Sequence, residues 1–261
     1  MGAGQFPRSR NETPVVPAGR MPGTVLVIVD KAGTDIGLEA AFAYRDAGAA
    51  VTIGHPVHDI PHVPPELRSN ITSMVLDPFK GSGDIFAKAG GKVVPKFETV
   101  IVSWQDAVAA DAAQRSPEGG PLALLDESSW GDAVRKRPLA AYRLLRDLLT
   151  KDRLCHAARI AFVVPPQGAS VLSANADGWV DRAGLRSLAG MVRELAQQMP
   201  ESSATLAVVC TGWGRHEDGE PNRHSRDETT ARALQETVGR LDATRHGQVL
   251  DLYGGLLSVI L

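Results

Sequence analysis

VLVIVDKAGTDIGLEAAFAYRDAGAAVTIG, residues 25–54, decides the fold. A β-branched run at 25–29 leads into a turn containing glycine. Residues 36–47 follow with the apolar spacing of an amphipathic helix, then Gly48 and a second apolar run at 50–53. Strand, turn, helix and strand in this order form the first half of a βαβ unit of the dinucleotide-binding kind. Phosphates bind at such turns because a helix N-terminus offers free N–H groups and the positive end of a dipole. Here the turn carries Asp30, Lys31 and Asp35 where glycines are expected.

The remaining pattern keeps alternating. Strands are predicted at 72–76, 99–103 (TVIVS), 160–164 (IAFVV), 205–210 (TLAVVC) and 248–252 (QVLDL), and helices at 133–149, 185–199 and 229–241. Alternation of this kind predicts a single α/β domain over residues 23–261, a Rossmann-like doubly wound parallel sheet in three layers. Residues 212–228, GWGRHEDGEPNRHSRDE, form the longest loop candidate. In doubly wound folds, loops at strand C-termini border the ligand crevice.

Bulk properties narrow the partners. With 261 residues, 43% hydrophobic and 22% charged, the chain is ordinary globular material. A net charge of -2 gives no electrostatic footprint for nucleic acid or an anionic membrane. No apolar stretch approaches the ~20 residues of a membrane span. Residues 1–22 have arginines and prolines but no apolar h-region, so they read as a flexible arm rather than a secretory signal. A cytoplasmic protein is expected, with Cys155 and Cys210 as reduced thiols and the N-x-T sequons at Asn11 and Asn70 without meaning.

From about residue 24 onward the chain resembles the short-chain dehydrogenases/reductases (SDRs). DKAGTDIG, residues 30–37, is in register with that family's TGxxxGIG turn. RLDATRHGQVLDLYGGLL, residues 240–257, is similar to its C-terminal signature. RSLAGMVRELAQQM, residues 186–199, resembles the helix that follows its catalytic Tyr-x-x-x-Lys. The resemblance implies a Rossmann fold, an NAD(P) cofactor and an Asn-Ser-Tyr-Lys tetrad.

This sequence departs from each functional part of that pattern. Lys31 stands at the turn's first glycine and Asp35 at its middle one; only Gly37 persists. Those glycines allow a tight turn and close approach to the pyrophosphate. A β-carbon at Asp35 obstructs the approach. Its carboxylate also repels a phosphate, by roughly 4 kcal/mol at 4 Å and an effective dielectric of 20. Asp35 capping its own helix, beside Lys31, is the preferred reading. The second strand ends in TIGHP, where His55 is expected to be a solvated surface residue. Asp77 matches the family's aspartate near adenine, whereas Ser103, Trp104, Gln105 and Asp106 replace its NNAG, and the Trp104 indole fills the adenosine space. By the same resemblance Arg137 stands at the asparagine, Pro165 at the serine, Asp181 at the tyrosine and Leu185 at the lysine. Gln167 and Ser170 are the nearest polar substitutes for the serine. No tyrosine lies between Tyr142 and Tyr253, so a modest shift of register restores no proton donor.

Other constellations are weaker. His216, Glu217, Asp218, His224 and Asp227 can be drawn as metal ligands, but a solvated loop is the simpler reading. Ser170, Asp177 and a distant histidine have nothing in the sequence to bring them together. No metal is therefore expected, and no dinucleotide on this chain.

What remains is the best patterned: residues 133–149, 185–199 and 247–261, the parts through which the resembling family forms its dimers and tetramers. The expectation is a catalytically inactive subunit that pairs with an active SDR homologue in a heterotetramer, NAD(P) residing on the partner. Heteromeric members of that family are known, among them the hydroxyacyl-CoA dehydrogenase of the benzylsuccinate pathway. The apolar tail at 256–261 is expected to pack on the partner. Two alternatives stay open: an atypical enzyme using Asp181 and Arg137 for non-redox chemistry, and a Rossmann-type ligand sensor.

Overall fold

The computed structural model describes residues 23–29, 36–56, 70–76, 78–79, 85–86, 94–103, 127–164, 176–199, 204–211 and 228–252. Side chains at 127–130, 132–134, 176–185, 228–229 and 251 are not described. The elements run β1 (Thr24–Val29), α1 (Ile36–Asp46), β2 (Ala50–His55), β3 (Ile71–Val75), β4 (Phe97–Ser103), α2 (Glu127–Thr150), β5 (Leu154–Val164), α3 (Ala176–Gln198), β6 (Ala204–Cys210), α4 (Glu228–Gly239) and β7 (Gln248–Asp251), with a 3-10 turn at Ala243–Arg245.

All seven strands pair in parallel, in the order β3-β2-β1-β4-β5-β6-β7. Parallel strands need crossovers, and the crossover helices cover both faces. Side chains along β1 alternate accordingly. Leu26 and Ile28 join the core under α2 and α3, with Leu144, Leu148, Leu188 and Val192. Val25, Val27 and Val29 join the core under α1 and α4, with Ala40, Tyr44, Leu234 and Val238. The predicted three-layer doubly wound sheet is what the chain forms.

Element boundaries moved by more than two residues at three places. α2 and α3 begin at Glu127 and Ala176, earlier than residues 133 and 185. A 24-residue helix is about 36 Å long and a seven-residue strand about 23 Å. The early turns therefore project past the sheet, where no core stripe is imposed on the sequence. β5 begins at Leu154 rather than 160, because it carries an irregularity: Leu154 pairs with Phe97, but Arg159 pairs with Thr99. The extra residues break the two-residue period that betrays a strand.

Ala157, inside that irregularity, has φ 56, the left-handed region that costs an L-residue ~1 kcal/mol or more. It is exposed, so its methyl contributes little burial. Ala157→Gly is expected to raise stability by about 0.5–1 kcal/mol, since the relieved strain exceeds the entropy that glycine adds to the unfolded chain. Urea unfolding checks this; a lower midpoint at unchanged slope contradicts it.

Two polar side chains tie neighbouring elements together. The Tyr44 phenol donates to the Gln235 carbonyl, joining α1 to α4, and burial pushes its pKa far above the ordinary range, against the opposing pull of Arg159. His246 sits between three elements. Its Nδ1 accepts from the Leu206 N–H at 3.1 Å, and its Nε2–H donates to the Ala196 carbonyl at 2.9 Å in the last turn of α3. The ring adds a second donor to a carbonyl that also accepts the Met199 N–H, and so ties the end of α3 to β6.

Cys155 and Cys210 are not joined in a disulfide, and the latter is fully buried. Among the described residues no helix is long and apolar enough to cross a membrane. The arm at 1–22 and the tail at 253–261 lie outside the described residues.

Candidate functional site

Strand order reverses between β1 and β4, and in open α/β sheets the crevice forms outside the carboxyl ends of such a pair. Val29 and Ser103 end these strands side by side. α1 starts over them with Gly37 in its first turn. A Cβ on Gly37 would stand 2.6 Å from the Ser103 Cβ, 3.1 Å from its Oγ and 3.2 Å from Val29 Cγ1. No side chain fits there. The glycine lets the helix N-terminus press onto the switch point, the place where free N–H groups serve an anion.

His55 ends β2, the position that reads the adenosine ribose in dinucleotide-binding folds. The expectation of a solvated surface histidine is corrected: the residue is only 3% exposed. Its Nδ1 lies 2.8 Å from the Pro56 carbonyl, which only accepts, so Nδ1 carries the proton. Its Nε2 lies 2.8 Å from Ser73 Oγ on the edge strand β3. The reason for burial is that β3, running alongside, supplies a hydroxyl partner that spacing alone does not reveal. Both ring nitrogens are used.

Arg137 lies on α2, 3% exposed. It falls three and four residues before Ala140 and Ala141, on the core-facing stripe that continues through Leu144 and Leu148. It is a charged member of that buried stripe, as Asp147 is further along the helix, and it is not without a partner. Pro138 follows it inside the helix and has no N–H to return to the carbonyl four residues back.

Asp181 and Leu185 both fall within α3, one turn apart and therefore on one face, the spacing that a Tyr-x-x-x-Lys pair has on a helix. Asp177 is on the same helix. Asp30, Lys31, Asp35, Asp77, Trp104, Gln105, Asp106, Pro165, Gln167 and Ser170 lie outside the described residues, as do His216, Glu217, Asp218, His224 and Asp227. Among the described residues no cluster of three histidine, cysteine or acidic side chains could hold a metal ion.

Thr211 was not singled out by sequence. Its N–H and hydroxyl both reach the Val164 carbonyl at 3.0 Å, tying the end of β6 to the end of β5 at the floor of the crevice. Its only signal is a threonine closing an apolar run.

No family model matches the chain. Nor does any curated protein. Solved structures do. A carbonyl reductase from Pseudomonas aeruginosa PAO1, in complex with NADP, superposes with a TM-score of 0.65 at 20% identity, over 90% of this chain and 98% of its own. A putative short-chain alcohol dehydrogenase from Burkholderia multivorans gives 0.63 at 13%, over 89% and 97%. The putative carbonyl reductase Sniffer of Caenorhabditis elegans gives 0.59 at 13%, over 90% and 99%. The chain has the fold of the short-chain dehydrogenases/reductases.

Of the cofactor that this fold implies, the described residues offer one test, at the end of β2. There the imidazole of His55 is turned inward onto Pro56 and Ser73. It presents neither a carboxylate for ribose hydroxyls nor a free cation for a 2′-phosphate. At this one position the described residues supply neither of the two groups by which such folds read the ribose.

Proposed function

We propose that this chain is a non-catalytic member of the SDR family that assembles with a catalytically competent homologue, the partner carrying NAD(P) and the chemistry. The observation that carries the reading is His55, buried and doubly hydrogen-bonded where a dinucleotide's ribose is read. The sequence agrees with it: Lys31 and Asp35 replace turn glycines, and Arg137, Pro165, Asp181 and Leu185 stand at the tetrad positions. A heterotetramer, with the apolar tail at 256–261 packed on the partner, is the assembly that this reading favours.

The test is calorimetric titration of the purified chain with NAD and with NADP, together with a carbonyl-reduction assay. No heat of binding at micromolar ligand and no turnover above background are expected. A micromolar dissociation constant for either dinucleotide sinks the proposal. Co-expression with a competent homologue from the same genome, followed by light scattering, then reads the assembly directly.

A second reading, an SDR-fold enzyme of non-redox chemistry, is favoured by the buried Arg137 on α2. It places an acid–base role on Asp181. A ligand sensor has no specific observation in its favour.

A further inference from the structure

His55 and Ser73 meet across the seam between β2 and β3, Nε2 to Oγ at 2.8 Å. In the pairing register Ser73 stands beside Ile53, two residues before His55, so the three side chains leave the sheet on one face. α1 packs over β1, β2 and β4, and β3 is the outermost strand of the described sheet. The ring is accordingly buried while the serine is exposed. Nδ1–H is spent on the Pro56 carbonyl, which fixes the tautomer and leaves the Nε2 lone pair to accept the serine proton.

A hydroxyl that only satisfies a buried ring has no need to face solvent. A nucleophile and a base within hydrogen-bond reach, the base oriented by a third group, are the parts of an activated serine. The Pro56 carbonyl takes the orienting place that an aspartate has in a triad. The backbone adds a donor. Val51 N–H donates to the Asn70 carbonyl and Leu76 N–H to the His55 carbonyl, so the alternate amides of Thr72 and Met74 also face β2. The Ser73 N–H therefore points out of the sheet edge beside its own hydroxyl, where an oxyanion would develop. Neither β2 nor β3 carries an acid, lysine or arginine, and Ile71 and Val75 flank Ser73 on its face.

We infer that Ser73 and His55 form an acyl-transfer dyad that cleaves uncharged carboxylic esters. Ser73 Oγ attacks the ester carbonyl carbon as its proton passes to His55 Nε2. The imidazolium returns that proton to the departing alkoxide, and the acyl group stays on Ser73. Water, giving a proton to Nε2, then attacks the acyl-serine; the same proton restores the serine hydroxyl as the carboxylic acid leaves. This goes beyond the subunit reading, which denies the chain hydride transfer alone, and neither depends on the other.

The purified chain, treated with a fluorophosphonate, is expected to take up one label, placed on Ser73 by peptide mass spectrometry, and to release p-nitrophenol from p-nitrophenyl acetate faster than buffer does. Ser73→Ala is expected to abolish both, and His55→Gln to slow both by about 100-fold or more. Ser73 left unlabelled, ester cleavage unchanged in Ser73→Ala, or labelling unchanged in His55→Gln overturns the inference. Should the buried His55→Gln variant fail to fold, Ser73→Cys takes its place, since the exposed position leaves the core intact. The imidazole is expected to draw the proton from the new thiol, so that iodoacetamide at about pH 6 alkylates it about tenfold or more faster than N-acetylcysteine. An equal rate means that the histidine is no base, and overturns the inference. A chain that binds a dinucleotide would defeat the subunit reading without altering the labelling.

Discussion

Asp147→Ala is expected to cost about 2–4 kcal/mol of folding stability, one of the largest losses available from a single side chain outside the apolar core. The carboxylate is 2% exposed. Its Oδ2 accepts the backbone N–H of Ile85 at 2.8 Å, and its Oδ1 takes Nε and a terminal nitrogen of Arg146 at 2.8 and 2.7 Å. Truncation leaves the Ile85 N–H buried with no acceptor, a penalty of ~1–3 kcal/mol, and removes a charge-assisted bond besides. The arginine adds little, since its side chain is 36% exposed and rehydrates. Asp147→Asn keeps one oxygen toward Ile85 and is expected to lose about half as much. Urea unfolding of the three proteins reads the order. A loss under about 0.5 kcal/mol for the alanine variant means that the turn at 85–86 is not held by this bond.

That role was invisible in the sequence. Asp147 follows Arg146 inside a helical run and reads as half of a solvated pair; its partner, Ile85, is 62 residues away in a turn with no periodic pattern. His55 failed for the same reason, its partner Ser73 lying on a neighbouring strand. The sheet, by contrast, was legible because both faces of each inner strand are buried. Runs such as TVIVS and TLAVVC have no other stable placement than between two helical layers. The helices were legible only where they cross that sheet. Their first turns and the loops beyond carry Pro165 and Asp181, two of the four tetrad positions, and there sequence speaks through resemblance alone.

The same distinction bears on the one glycine that survives in the nucleotide turn. Three glycines in such a turn do three things: tighten it, admit the pyrophosphate, and let the helix meet the strand. A chain that binds no dinucleotide needs only the third, and Gly37 is the third. Gly37→Ala is therefore expected to destabilise the fold by about 1–3 kcal/mol through overpacking, because the new Cβ falls 2.6 Å from the Ser103 Cβ. The companion change Ser103→Gly removes that atom. Alone it costs stability too, since a strand loses a buried side chain and its interactions. Combined, the two changes should cost less than their sum by about 1 kcal/mol or more, the signature of two residues in direct contact. Denaturant unfolding of the four proteins closes the cycle. If the losses simply add, helix and strand do not meet through these two positions. The retained glycine then calls for a different explanation, and a phosphate is the first to consider.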